Sequence, residues 1–434
     1  MSIISIIWVV VFISVLVIIH EFGHLIVAKL SHIAVEVFSV GFGPILLKKK
    51  IGETEYRVSL VPLGGFIKMV GEEEHAGPAP TEAPNPEWVG RGFSDKSFGV
   101  RAAVIAAGPI FNLVLGFIML LVMYLAFGIK YVNPVVEPTA NSAAAAAGFQ
   151  TGDVVLFAAG ETIPTFDKLD AIMFKNTGKQ IPVTVLRAGA RIDLAYDVPK
   201  ESLDLNPILL PVVDRVRGGS PAARVGLKPG DVITSVAGVP VRRWEDFVEN
   251  VTGKPGIKIP ITWQRGDQTL SDSITPASER DQLSDQRVGQ IGVWVRLPKK
   301  SLSVPVAALE AAKRTGYVVV QTFVIIWKVI TRQISSKAIG GPIMVAKIAY
   351  EGANWGAEYF IALWALLSIN LFVVNMLPVP VLDGGRILLD AIGAIRRRPL
   401  SIKEANWAGY IGWAMIGLLV LFTIFNDILR LIRK

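Results

Sequence analysis

Four apolar blocks constrain this chain more than any other feature. They run from about Ile3 to Ala28, Ala102 to Ile129, Phe360 to Leu382 and Trp407 to Phe425. Each holds about 20 or more mostly apolar residues, and a helix of that length covers roughly 30 Å of hydrocarbon. The whole chain of 434 residues is 52% hydrophobic and only 18% charged, with a mean hydropathy of +0.49. That balance excludes a disordered chain and a coiled coil and argues against an ordinary soluble enzyme. The blocks predict a polytopic α-helical membrane protein with four transmembrane helices, at about 1–28, 102–130, 357–383 and 407–428. A fifth stretch, Tyr317 to Ile330, is interrupted by Gln321 and Lys328. It predicts an amphipathic, interfacial helix within a segment spanning 301–356. The first block has no basic leader and no small-residue cleavage site, so it reads as a retained span.

Lysine and arginine orient the spans. Lys29, Lys48, Lys49, Lys50, Arg57, Lys68, Arg91, Lys96 and Arg101 lie between the first two, and Arg386, Arg396, Arg397, Arg398 and Lys403 between the last two. After Lys130 no Lys or Arg follows until Lys168. The positive-inside rule places loops 29–101 and 384–406 in the cytoplasm, and the long middle region and both termini outside. The net charge of +8 then reflects topology and the lipid bilayer, not nucleic acid. The chain has no cysteine, which excludes disulfides, Cys-ligated zinc, iron–sulfur clusters and thiol nucleophiles.

The middle region contains a repeat. Residues 141–162 align without gaps on 219–240, at an offset of 78. Nine of those 22 positions match, including Gly148/Gly226, Gly152/Gly230, Asp153/Asp231 and Gly160/Gly238. Two copies are too few for a solenoid, so each is a small domain, at 131–205 and 206–300. Gly-Asp makes a turn into a strand, Val154–Leu156 in one copy and Val232–Ile233 in the other. The pattern resembles a PDZ domain, twice over. PDZ domains take up extended peptide by adding it to a sheet edge.

His20-Glu21-Phe22-Gly23-His24 is an H-E-x-x-H motif inside the first block. On a helix, positions i and i+4 share a face, so two imidazoles converge on one ion. Glu21 then reaches the water that such a metal activates. Catalytic zinc takes three protein ligands and keeps one position open. Ionisable groups within a span are functional by default. Asp383, at the end of the third block, is the candidate third ligand; a simple helix cap is the alternative. His20 lies roughly 26 Å along the first span and Asp383 roughly 33 Å along the third. Both spans run inward, so both residues fall near the cytoplasmic side. Pro378 and Pro380 break the helix just before Asp383. Such irregular backbone persists at membrane depth only beside a cavity or packed protein. His32 is about three turns from His20, too far for the same ion, and His75 sits in a solvated Glu/Pro/Gly-rich stretch.

These motifs together resemble the site-2 protease family of intramembrane zinc metalloproteases. The resemblance rests on HEFGH, on Leu382-Asp383-Gly384, on Gly41-Phe42-Gly43-Pro44, on Ala107–Asn112 and on the two PDZ-like repeats. It looks most like the bacterial group with four spans and tandem PDZ domains, and it covers essentially the full chain. It implies that His20, His24 and Asp383 bind Zn2+, that Glu21 is the catalytic base, and that Asn370 and Asn375 hold substrate. It also implies a membrane-re-entrant β-hairpin at about 53–70. There Tyr56, Val58 and Leu60 alternate with Arg57 and Ser59 as a half-buried strand, and Gly64-Gly65 reads as a turn. An exposed edge near 55–63, with Tyr56, Val58 and Leu60 as substrate-binding residues, would pair with unwound substrate. Implied substrates are pre-trimmed single-span proteins, an anti-sigma factor and signal-peptide remnants, in envelope stress signalling at a bacterial inner membrane with the repeats and termini periplasmic. The competing class is a zinc-stabilised membrane scaffold that recruits partners through its PDZ domains. Such a scaffold has no need of Glu21.

Overall fold

The computed structural model describes residues 3–72, 88–200, 204–280, 286–333, 341, 344, 356–398 and 400–432. His75 lies outside them. The chain divides into two units. The first comprises residues 1–126 and 303–434, and the second, residues 127–302, is inserted into it.

In the first unit, helix α1 spans Ile3–Leu30 and leads through a turn into two long strands. These are β1, Val35–Ile51, and β2, Thr54–Met69. They are followed by α2, Phe98–Phe127. The insert comes next, and then α3, Val304–Ile330, α4, Ala357–Asn375, α5, Asp383–Ile395, and α6, Ile402–Ile432. Among the described residues, Phe98–Phe127, Ala357–Asn375 and Lys403–Ile428 are long and apolar enough to cross a membrane. The apolar run that predicts a third span to 383 is helical only to Asn375. Pro378 and Pro380 cannot continue a helix, and residues 376–382 turn non-helically before α5 starts at Asp383. The expected loop after Asp383 is therefore mostly helix. The interfacial segment at Tyr317–Ile330 is the second half of one longer helix, α3. Its Ala307, Ala311, Thr315 and Val318 are buried at helical spacing, while Tyr317, Val320, Phe323, Trp327 and Ile330 are exposed.

The hairpin corrects two expectations. The tight turn is at Gly52-Glu53, between paired Ile51 and Thr54, and not at Gly64-Gly65. The sheet also doubles back on itself. Val37, Phe38, Ser39 and Val40 pair on one side with Lys68, Ile67, Phe66 and Gly65. On the other side they pair with Glu55, Tyr56, Arg57 and Val58, and those four residues pair again with 47–50. Residues 55–58 are thus interior, and the edge expected at 55–63 is not free there. Residues 65–69 pair only with β1 among the described residues. Gly41 makes the reversal possible: its φ is +87°, and a Cβ there would lie 2.8 Å from the Val61 carbonyl oxygen. Val58 and Leu60 point outward, not into a core, as do Phe42, Leu46, Leu47 and Ile51. An apolar/polar alternation names two faces but not which one meets protein, and here the buried members are Thr54 and Ser59.

The second unit holds two cores of the same plan. The offset of 78 found in a 22-residue window runs through both. Ala144, Phe149, Val155, Leu169, Val183 and Tyr196 of one core match Ala222, Leu227, Ile233, Phe247, Ile261 and Ile274 of the other. In each copy the turn carboxylate is buried. Asp153 takes two bonds from Arg187, at 2.8 and 2.7 Å, and one from the Gln150 N–H. Asp231 does the same with Arg265, both at 2.7 Å, and the Lys228 N–H. Each arginine also donates to the carbonyl of Gly148 or Gly226. Burial pushes both carboxyls up, but these bonds more than offset it and hold them below the ordinary aspartate value. Strand Leu205–Pro207 pairs with Val135–Pro138, so it completes the first domain's sheet.

Candidate metal centre

Three candidate ligand atoms meet where α1, α2 and the start of α5 converge. His20 and His24 lie one turn apart on α1, and their Nε2 atoms are 3.2 Å apart. Asp383 Oδ2 lies 3.1 Å from His20 Nε2 and 3.8 Å from His24 Nε2. The ligand atoms of all three lie within 4.8 Å of one another, and both histidines are buried. Asp383 arrives by a sharp turn that needs the two glycines after it. A Cβ at Gly384 would fall 2.3 Å from the Met376 oxygen, and one at Gly385 1.9 Å from the Val379 oxygen.

The surroundings leave electron pairs pointing inward. His24 Nδ1 lies 2.8 Å from the Val104 carbonyl oxygen of α2, in the turn before Pro109. A carbonyl only accepts, so Nδ1 carries the hydrogen and Nε2 presents a lone pair. Two imidazole nitrogens and a carboxylate oxygen, brought together with few hydrogens among them, repel unless a cation sits between them. This N, N, O set fits catalytic zinc. Gly108 keeps the space open: a Cβ there would stand 2.3 Å from His24 Nε2 and 2.8 Å from His20 Nε2.

Beside these ligands lies a cavity of about 300 Å³. Glu21, Asn375, Phe66, Ile67, Met69 and Arg386 line it along with the three ligands. A Cβ at Gly65 would stand 3.3 Å from Glu21 Cγ, so the free-edged strand 65–69 runs along the wall that holds Glu21. Asn375 also brings its amide nitrogen to 3.5 Å from His20 Nδ1. Asn370 is not part of the lining. Its Oδ1 accepts from Thr322 Oγ1 of α3, at 2.7 Å. Tyr56, Val58 and Leu60 do not line the cavity either. His32 is exposed at the turn after α1, with φ +54°. Sequence reasoning missed the Val104 carbonyl, the cradle at Gly108 and the edge at 65–69. The motif around Gly108 and Asn112 marked the place without giving the role.

Peptidase family M50 matches residues 8–419. The regulator of sigma-E protease RseP of Escherichia coli K12 is 33% identical over 97% of this chain and 98% of its own. The regulator of sigma E protease of Haemophilus influenzae is 31% identical over 96% and 97%. A Neisseria meningitidis protein whose name describes it as a zinc metalloprotease is 32% identical over 97% and 98%. Among solved structures, the PDZ domain of an SdrC-like protein of Listeria monocytogenes is 26% identical over 19% of this chain and 84% of that one, with a TM-score of 0.17. A match across nearly the whole chain means that the chain belongs to peptidase family M50, as a zinc metalloprotease of the RseP type.

Proposed function

We propose that this protein is a four-span intramembrane endopeptidase that cuts transmembrane segments of pre-trimmed single-span proteins, with the inserted unit and both termini outside the cytoplasm. Substrates of the anti-sigma-factor and signal-peptide-remnant kind fit that reading. The observation that carries it is the juxtaposition of His20, His24, Asp383 and Glu21 on one cavity, whose lining also includes Ile105 and Asn375 of two helices apolar enough to cross a bilayer.

His20, His24 and Asp383 would hold the zinc. When bound, the ion supplies a Lewis acid that polarises a peptide carbonyl and makes water easier to deprotonate. The chain's own groups do the rest. A helical substrate hides each carbonyl in a backbone hydrogen bond, so it must unwind, and its freed groups then need partners away from water. The edge of residues 65–69 is placed to supply them by strand addition, and Asn375 adds an amide beside the ligands. Glu21, on the same wall, takes the proton of the attacking water and delivers it to the leaving amine. The Thr322 bond occupies Asn370 Oδ1, so a contact of Asn370 with substrate would run through its amide nitrogen. The outward-facing Leu46, Leu47, Val58 and Leu60 of the sheet suit immersion in lipid.

The test is cleavage of a transmembrane reporter by wild type and Glu21→Gln. The amide cannot accept the water's proton, so cleavage should be lost while zinc content stays at wild-type level. Near-normal turnover in that variant would point to another base.

A further inference from the structure

Asn112 is fully buried on α2, one turn beyond Gly108. Its amide Nδ2 lies 3.1 Å from His20 Nδ1. Its Oδ1 is buried with no hydrogen-bond partner. Its backbone oxygen accepts from Ser368 Oγ of α4 at 2.6 Å, and Ser368 is also fully buried. The residue is therefore tied by its backbone to α4 while its side chain abuts the first histidine.

A metal on Nε2 fixes the imidazole hydrogen on Nδ1, and a metal-ligating histidine donates that hydrogen to an acceptor that sets its orientation. His24 has such an acceptor in Val104. At His20 Nδ1 the groups in reach are two side-chain amides, Asn112 and, at 3.5 Å, Asn375. A half-turn of the Asn112 amide exchanges its oxygen and nitrogen without moving the rest of the residue. The oxygen then accepts from His20 Nδ1–H. Oδ1 has no partner where it stands, so the exchange gives up no bond there, and the oxygen faces Nδ1 once a metal on Nε2 fixes the hydrogen on Nδ1.

We propose that Asn112 is the positioning residue of the metal site, whose side-chain oxygen accepts from His20 Nδ1–H and holds His20 Nε2 toward His24 and Asp383. The inference rests on the reading of His20 as a ligand. The amide thus acts on metal affinity through His20, without touching substrate.

The experiment measures zinc affinity of the full chain in detergent by competition with a chromophoric chelator. Asn112→Leu, similar in size but without an acceptor, should bind zinc about 10–100-fold more weakly. Asn112→Asp keeps an acceptor oxygen and should bind at least as tightly as wild type. Melting without zinc, read in parallel, separates metal affinity from packing. Wild-type affinity in Asn112→Leu overturns the proposal. So does a loss in Asn112→Asp equal to that in Asn112→Leu, because a packing role would move both alike. If the leucine variant does not fold, Asn112→Ala replaces it with the same expected loss and the same defeating result. His20→Ala tests the underlying reading separately: wild-type zinc binding there would remove His20 as a ligand.

Discussion

At the scale of single residues, the proposed metal site depends as much on an absent side chain as on those present. Gly108 faces both imidazoles, and any Cβ would occupy the space their nitrogens need. What fills the gap is the two imidazole rings, and they cannot retreat far in a packed interior. Gly108→Ala should therefore leave purified protein with less than about a tenth of wild-type zinc affinity, read as metal content by atomic emission. Full zinc retention would mean that α2 gives way there. His24→Ala and Asp383→Ala should each lose most bound zinc, since three ligands are the usual catalytic minimum. Full retention in Asp383→Ala would remove α5 as a ligand donor.

At the scale of elements, two features admit direct tests. The first is the free edge of residues 65–69. Because the chain has no cysteine, single thiols can be introduced without background. A substrate carrying one cysteine near its cleaved bond should cross-link to Phe66→Cys or Lys68→Cys and not to Lys48→Cys or Lys50→Cys. Cross-linking at 48 or 50 alone would move the docking strand to the other side of the sheet. The second feature is the buried aspartate–arginine pair repeated in the inserted unit. In the folded state both carboxyls titrate below their ordinary value. A lowered folded value adds stability that is complete above the unfolded aspartate value of about 4 and is lost as pH falls through the folded one. An acid-active protease should accordingly nick residues 141–280 only below about pH 4. Asp231→Asn should cost about 2–3 kcal/mol, at the low side for a buried pair because Arg265 is a third exposed. Nicking of that variant should begin at higher pH. Identical profiles would mean that the pair contributes nothing to the unit's stability.

At the scale of the whole molecule, the inserted unit begins and ends on one pair of strands. Ile129–Lys130 pairs with Lys299–Lys300, so the two ends of the insert lie about 5 Å apart, as neighbours in a sheet do. A short Gly/Ser linker can therefore replace residues 131–298 without pulling α2 from α3. A protease working inside a membrane must not cut every single-span protein, and the bulk of a substrate's external domain is the simplest property to reject. The insert, as two folded domains, suits a size filter. The deletion variant should keep zinc and cleavage and should accept substrates whose external domain is still attached. Changes at Gly226 or Ile233, which alter one domain's turn or core, should matter less than deletion. A folded, zinc-loaded deletion variant that still cuts only trimmed substrate would place the filter within the first unit.

What the sequence determined by itself was whatever is periodic or contiguous. Apolar length marked the helices, because hydrocarbon thickness sets a minimum run. The i, i+4 spacing put His20 and His24 on one face, since 3.6 residues per turn leave no other choice. The offset of 78 exposed the repeat, and the two prolines marked the break before Asp383. Only the tertiary structure decided what depends on neighbours distant in the chain. Val104, Gly108 and Asn112 serve the site through atoms that any residue, a bare glycine or a common amide also carries elsewhere. Arg187 and Arg265 are 34 residues from their aspartates, beyond any local pattern. The interior place of residues 55–58 followed from β1 doubling back at Gly41. Strand periodicity assigns residues to two faces, and it is the fold, with lipid as the solvent, that chose which face is outside and which strand is the edge.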